Sequence, residues 1–600
     1  MIKHFDYEKI KLTPGLFKER MTVDVKYLLS LDSRALLQNY MMEAGIILPE
    51  NFTTEDPTKT YYHWGWEAPT CQLRGHFLGH WMSSAARAAV SEGDRSLKAK
   101  LFDIIDQLKE MQKLNGGKWV APIPEKYMKI METDRYIWSP QYTMHKLFLG
   151  LLDSYKYTGY EPALEILSGL ADWYVDWVST VGKDKPWVMY RGESGGMLEI
   201  WADLYGITKD KKYLKLVKAY DTPELVKMLE KGQDPLTANH TNSSIPWAHG
   251  LAKLYEVTGD KKWLDLTKAF WKCAVTDREY YATGGQNAGE FWIPQGRLGE
   301  YISDRNQEFC TVYNMVRLAD YLYRFTGEEL YLDYIERNLY NGFLAHQNAT
   351  TGMPTYFMSM KPESHKKWGT ERNDFWCCHG TMIQSQTVYQ DLTFYQADDG
   401  VTVAQYIPVS GKCSVNGADV NLEMNSVMDS SSADALFEES ADSEMSRWNF
   451  ELKVSCDKET EFTLSLRIPT WIDKAPVITV DGKKVRSGKN DYKNGFLKIK
   501  RAWKDSVIGI RFVPALREEG LTDRPDLKAI LDGPILLAAV GAPVKLMGKS
   551  YKSLIKKTER VYQIYPWLQN HYNVACDGAD RELMPLYEIQ DQAYSIYQKA

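Results

Sequence analysis

Four times between residues 150 and 330 a tyrosine is followed three places later by a threonine at the end of an amphipathic stretch: Tyr155 and Thr158, Tyr205 and Thr208, Tyr255 and Thr258, Tyr323 and Thr326. Gly159, Gly259 and Gly327 come next in three of these, as a left-handed helix cap requires. An aromatic residue, Tyr213, Trp263 or Tyr331, recurs five places past the threonine, where a second helix would fold back on the first. A degenerate copy, AARAAVSEGDRSL, occupies 85–97. Paired helices repeating every 50 to 68 residues form either an open solenoid or a closed ring of hairpins. The long Gly- and Pro-bearing connections at 115–141 and 281–306 favour a ring whose loops line one mouth, an (α/α)6 toroid.

Near residue 395 the hydrophobic period changes from helical to alternating. VTVAQYIPV, FELKV, FTLSLRI, VITVDGKKV, FLKIKRAW and VIGIRFV read as strands, with Asp481-Gly482 as a hairpin turn, and consecutive strands of this kind build a β-sandwich. The acidic, Ser-rich stretch 426–446 reads as a loop or an edge excursion without chemistry. Beyond 516 the pattern weakens, although GPILLAAVG has the character of a buried strand. The expected organisation is therefore an α+β multidomain chain. Residues 1–395 form a catalytic toroid, 396–515 a β-sandwich, and 516–600 a second small β region or the completion of the sandwich.

Composition excludes several classes of function. With 600 residues, 44% hydrophobic and 25% charged, the chain can bury a large core, and its net charge of -6 and lack of a basic stripe argue against nucleic acid. No apolar run approaches the ~18 residues of a membrane span. The opening MIKHFDYEKIKLTPG has no apolar core of a secretory signal, so a cytoplasmic location is expected. The eight cysteines are too unevenly spread for a disulfide scaffold. An excess of 19 Trp and 38 Tyr supplies rings on which sugars can stack, beside those that serve the core.

Chemistry concentrates in Phe375-Trp376-Cys377-Cys378-His379-Gly380-Thr381 and, upstream, Gln307-Glu308-Phe309-Cys310. Three thiolates and a carboxylate satisfy a tetrahedral zinc. Glu308 and Cys310 share a face if the segment is extended, whereas Cys377 and Cys378 reach one metal only from an irregular turn, which Gly380 would permit. The residues alone leave a second reading open, two buried thiols without a metal. His76 and His80 share a helix face in GHFLGH, but no glutamate stands where a zinc protease would need it. His145 in YTMHK reads equally as a buried structural imidazole. His240 lies in the loop-like ANHTNSSIP beside the cap formers Thr241, Asn242 and Ser243.

The chain resembles glycoside hydrolase family 127, the β-L-arabinofuranosidase family, in LRGHFLGH (73–80), YTMHKLFLGLLDSY (142–155), SGGMLEIWADLY (194–205), HTNSSIP (240–246), ATGGQNAGE (282–290), EFC (308–310) and FWCCHGT (375–381). The resemblance implies the (α/α)6 catalytic domain and a zinc held by Glu308, Cys310, Cys377 and Cys378. In that family a cysteine replaces the nucleophilic carboxylate of ordinary retaining glycosidases. Cys377 matches it by position, with Glu308 read as the acid/base. The same resemblance places His80, His76, His145, His240, Glu290 and Tyr356 against the sugar, and Glu67 and Glu193 more weakly. Two stretches depart from the family pattern. His379 and Gln384 stand where Thr and Glu are common, and Gln286 and Asn287 where other polar residues occur.

The expected activity is therefore retaining exo-hydrolysis of terminal β-L-arabinofuranose from small plant-derived oligosaccharides. Relatives suggest a homodimer through the β region, while the residues leave the oligomeric state open. Two other functions fit a toroid of this kind: sugar epimerisation or polysaccharide elimination by His and Tyr, and carbohydrate binding without catalysis.

Overall fold

The structure, a computed structural model, describes residues 1–47, 62–181, 184–221, 223–426, 448–557, 571–576 and 579–600. The acidic stretch expected to form a loop lies, past Ser426, outside the described residues.

Six helices form an inner ring among the described residues: His76–Glu92, Pro140–Thr158, Gly195–Thr208, Thr241–Thr258, Phe309–Thr326 and Cys377–Ser385. Each packs on the next, and the sixth returns to the first, so the repeat closes as a toroid and not as a solenoid. The first five are each followed by an outer partner, Arg95–Leu114, Glu161–Val181, Lys211–Tyr220, Lys261–Trp271 and Glu329–Asn338. Two N-terminal helices, Leu16–Ser30 and Ser33–Glu43, pack against the first ring helix.

The Tyr-x-x-Thr signal has a simple physical origin. At each of the four sites the amide following the threonine donates to the tyrosine carbonyl, while the threonine hydroxyl donates to the carbonyl four residues back. In the last three sites that hydroxyl oxygen also accepts the amide of Asp210, Asp260 or Glu328 at 3.2 Å. Asp210 and Asp260 then cap the outer helix through the amides of Lys212 and Lys262. One hydroxyl thus closes a ring helix and fixes the start of its outer partner. Tyr213 and Tyr331 are buried between the two layers, as their spacing predicts, and Trp263 is partly buried.

The C-terminal region is rich in sheet. A ten-stranded sheet among the described residues is built on two long antiparallel strands, Asn449–Arg467 and Phe496–Arg511, whose bulge between Ser455 and Thr460 lets it bend over its own core. Two strands within residues 1–395 also belong to it. Lys3–His4 pairs with Phe394–Ala397, and Ile10–Leu12 pairs with Val409–Val415. At two and three residues they are too short to carry a periodic signal. The strands from Leu516–Leu521 onward form a separate sheet, eight-stranded among the described residues.

Helical and sheet regions are joined by buried charge. Arg467 donates to Asp333 at 2.6 Å and Glu336 at 2.5 Å, and Arg337 donates to Glu519 at 2.7 Å and 2.8 Å. No described helix is long and apolar enough to cross a membrane.

Candidate active site

Every ring helix contributes to one cluster, and each does so from its N-terminal end. His76 and His80 come from the first two turns of the first ring helix, and Tyr142 and His145 from those of the second. Glu193 precedes the third, His240 caps the fourth, Glu308 caps the fifth and Cys310 is its second residue. Cys377 and Cys378 open the sixth. Unpaired amides and the positive ends of six helix dipoles therefore face one mouth, a setting that favours thiolate and carboxylate over their neutral forms.

Glu308, Cys310, Cys377 and Cys378 present ligand atoms that all lie within 4.8 Å of one another. Cys310 Sγ is 3.5 Å from Cys378 Sγ, Cys377 Sγ is 4.0 Å from Cys378 Sγ, and Cys377 Sγ is 3.8 Å from Glu308 Oε1. A tetrahedron with metal–sulfur arms of about 2.3 Å has edges of about 3.8 Å, so the donor set fits a single tetrahedral metal ion.

Local structure differs from the sequence expectation at both halves of this set. Glu308 and Cys310 do not share one extended face; the chain passes from the strand Asn306–Glu308 directly into a helix between them. Nor do the adjacent cysteines sit on an irregular turn, since they occupy the first turn of a regular helix. The strain lies just before each half. Gln307 and Phe375 adopt left-handed backbone angles, φ 46° and 48°, which a bulky residue such as Phe375 rarely tolerates. A buried histidine holds each of their carbonyls: His346 Nε2 bonds to Gln307 O at 3.0 Å, and His76 Nε2 to Phe375 O at 2.8 Å. His346 carries no motif and is not found by sequence reasoning.

Gly380 serves close packing and not a turn. A Cβ there would lie 2.2 Å from His80 Cδ2. His80 is wholly buried, with Nδ1 at 2.7 Å from Gln384 Oε1 and Nε2 at 3.4 Å from the Tyr142 hydroxyl. Gly380→Ala is expected to displace His80 and to cost about 1–3 kcal/mol by overpacking, read as a lowered denaturation midpoint with an unchanged m-value. Gly196 has the same use, since its Cβ would meet the His145 ring at 2.3 Å. His145 Nε2 has no partner among the described residues.

Exposure separates the four donors. Glu308, Cys310 and Cys378 are wholly buried, and Cys377 alone retains contact with the mouth at 7%. Bonds with Cys310, Cys378 and the Tyr356 hydroxyl, the last at 3.5 Å, hold the Cys377 thiol well below the usual thiol range despite burial. Burial pushes Cys310, Cys378 and Glu308 well up, and the negative charge on Cys377 adds to the effect on Glu308. Lys146, on the second ring helix, lies over the Tyr142 ring at 4.9 Å, its ammonium drawn down by burial to about 8.

The mouth holds a second set. The Tyr356 hydroxyl donates to Glu290 Oε1 as well as contacting Cys377, and His240 Nε2 lies 3.6 Å from Glu290 Oε2. Its partnership with His240, then Tyr356, keeps the Glu290 carboxyl below the ordinary carboxylate range; His240 is raised against its burial by the same contact. His240 also caps its own helix, Nδ1 accepting from the Ser243 amide at 3.2 Å, the task its neighbours Thr241, Asn242 and Ser243 were expected to share. Glu193 accepts from Ser139 at 3.1 Å nearby.

Glu67 sits at the start of the first ring helix, 3.6 Å from His76 Nε2. It is buried, it accepts the amides of Gly75 at 2.7 Å and Phe77 at 2.9 Å, and burial pushes it up to about 7. The unusual residues divide. Gln384 joins His80 to Ser83, while His379 turns to Thr370 O and Gln286 to Tyr334, both away from the cluster. Asn287 accepts the Glu308 amide at 3.2 Å and so touches a candidate ligand.

This toroid and mouth place the chain among the (α/α)6 glycoside hydrolases. The sequence model of the β-L-arabinofuranosidase GH127 catalytic domain matches residues 9–391, and that of the GH127 middle domain matches 400–508; the chain belongs to glycoside hydrolase family 127. Its fold is similar to that of a GH127 β-L-arabinofuranosidase from Geobacillus stearothermophilus T6, with TM-score 0.71 and 16% identity over 98% of this chain and 99% of that one. A second solved GH127 β-arabinofuranosidase gives TM-score 0.71 and 17% identity over 100% and 98%. At such identities the likeness is one of fold. No curated protein sequence matches the chain.

Proposed function

We propose that the protein is a retaining exo-β-L-arabinofuranosidase of short plant-derived oligosaccharides, with Cys377 as nucleophile and a zinc ion held by Glu308, Cys310, Cys377 and Cys378. The observation that carries this reading is that the one donor open to the mouth, Cys377, is also the one whose thiol its neighbours hold below the usual range. A bound zinc would lower the thiol pKa values further and keep the cysteines in register. A reducing cytoplasm suits the site, because Cys310, Cys377 and Cys378 are all free thiols.

Proton transfer falls to Glu290 in place of Glu308. Glu308 is wholly buried and its oxygen belongs to the donor set, so it cannot also present a proton to a leaving group. Glu290 is 37% exposed at the side chain, and His240 Nε2, 3.6 Å away, can relay a proton to it. In the first step the Cys377 thiolate forms a C–S bond at the anomeric carbon as the glycosidic C–O bond breaks, and the leaving oxygen takes the proton from Glu290. In the second, Glu290 accepts a proton from water as that oxygen attacks the same carbon, the C–S bond breaks and the thiolate returns. Two displacements give net retention. Tyr356 donates to Glu290 and touches Cys377, holding acid and nucleophile at a fixed separation on either side of the anomeric carbon. His76 and His80, bonded to opposite sides of the Tyr142 hydroxyl at 3.3 Å and 3.4 Å, fix the wall behind it.

Arabinose release from an aryl β-L-arabinofuranoside and from a β-L-arabinofuranosyl disaccharide tests the reading. Glu290→Gln is expected to lower kcat/KM, which reads the first step alone, about 10²–10⁴-fold on the disaccharide and far less on an aryl glycoside whose leaving group needs no proton. Equal losses on both, or hydrolysis of neither by the unaltered enzyme, would count against it.

A further inference from the structure

We propose that the groove leading outward from Glu290 and Tyr356 is the leaving-group subsite, and that it is built for a saccharide bearing a carboxylate, such as a uronic acid. This rests on the hydrolase reading above and adds the class of the leaving group.

The groove is continuous with the catalytic residues. Glu290, Tyr356 and Trp376 form its inner end, and its volume of about 710 Å³ lies in the ~300–1,000 Å³ range of small-molecule sites. A leaving oxygen protonated by Glu290 therefore points its remaining substituents into this space. The groove offers the rings a sugar needs. The hairpin of Asn287–Ala288 and Phe291–Trp292 alternates sides, burying Trp292 and leaving Phe291 51% exposed. Phe357 and Trp376 flank it, each packed on Tyr356 with ring centroids 4.5 Å and 5.6 Å away. An apolar ring left half-open beside a catalytic acid serves as a stacking platform for C–H faces.

The outer wall sets the charge. Arg305 and Lys367 both line it, and neither makes an ion pair or side-chain hydrogen bond among the described residues. Of the acids lining the groove, Glu290 is engaged by His240 and Tyr356, which leaves Asp304 alone against the two cations. His365 also lines the groove, its Nδ1 donating to Asp591 O at 2.9 Å. A neutral sugar would leave both cations without a partner, whereas a carboxylate two to three bonds from the ring can meet them.

The experiment compares two disaccharides of the same linkage, β-L-arabinofuranosyl-galacturonic acid and β-L-arabinofuranosyl-galactose, beside an aryl β-L-arabinofuranoside. At low ionic strength kcat/KM is expected to favour the acidic disaccharide about fivefold to tenfold, the yield of two exposed charge contacts. The preference should fall to near parity in Arg305→Gln/Lys367→Gln and in about 0.5 M salt, where the Debye length shrinks below the contact range. Aryl glycoside hydrolysis should be unchanged in the double variant, which also reports that it is folded. Parity in the unaltered enzyme, or a preference that survives the double substitution, overturns the subsite while leaving the hydrolase reading intact. Failure to cleave the aryl glycoside overturns both.

Discussion

Cys377→Ser should abolish turnover, lowering kcat by at least about 10⁴-fold, the scale of loss when a covalent nucleophile is removed from a site that otherwise binds normally. Serine preserves the volume and the hydrogen bond to Tyr356, but its hydroxyl is not ionised under conditions that ionise this thiol. The denaturation midpoint should move little, because three donors and both helix starts remain. Single-turnover release of the aryl leaving group, followed beside an unfolding curve, checks both halves. Retained turnover with a normal unfolding curve would return Cys377 to the role of a passive ligand. Loss of the fold would instead show that its part is mainly structural.

Stripping the metal is expected to cost stability as well as activity. Cys310 and Cys378 are wholly buried on the fifth and sixth ring helices, and the sixth must seat against the first to close the toroid. An ion bound by donors from both helices ties that closure. At a free metal concentration about a thousandfold above Kd it would add about 4 kcal/mol to the folded state. Elemental analysis should find about one zinc per chain. Chelation should remove it and lower the melting temperature, and re-addition should restore both. A chain that binds no zinc, or that melts identically with and without it, would leave the cluster as packed thiols.

The sequence made the architecture readable because its signal is physical and repeated. One threonine hydroxyl does the same two jobs at Thr208, Thr258 and Thr326, so the spacing is preserved while the surrounding residues drift. The donor set was legible for a different reason: few residue types can hold a soft cation, and three of them stand in two short stretches. What could not be read was which of those groups meets solvent. Glu308 and Glu290 are both glutamates near glycine-rich or cysteine-bearing motifs, and only the fold shows that one is sealed and the other open. The same holds for Gly380, whose packing against His80 joins residues 300 apart. Glu67 looked available because its helix-capping partners, the amides of Gly75 and Phe77, carry no side-chain signature.

The pairing of residues 3–12 with strands that begin near residue 394 sets an order on biosynthesis. At about 5–20 residues per second, the ribosome leaves the first strands waiting roughly 20–80 s for their partners. Cys377 and Cys378 emerge only shortly before those partners do. A nascent chain halted anywhere before this point holds an open arc of helices, one thiol of the donor set and no edge for its own N-terminus. Ring closure and docking of residues 3–12 thus fall within the same interval late in translation, and any metal the four donors bind would be captured only then.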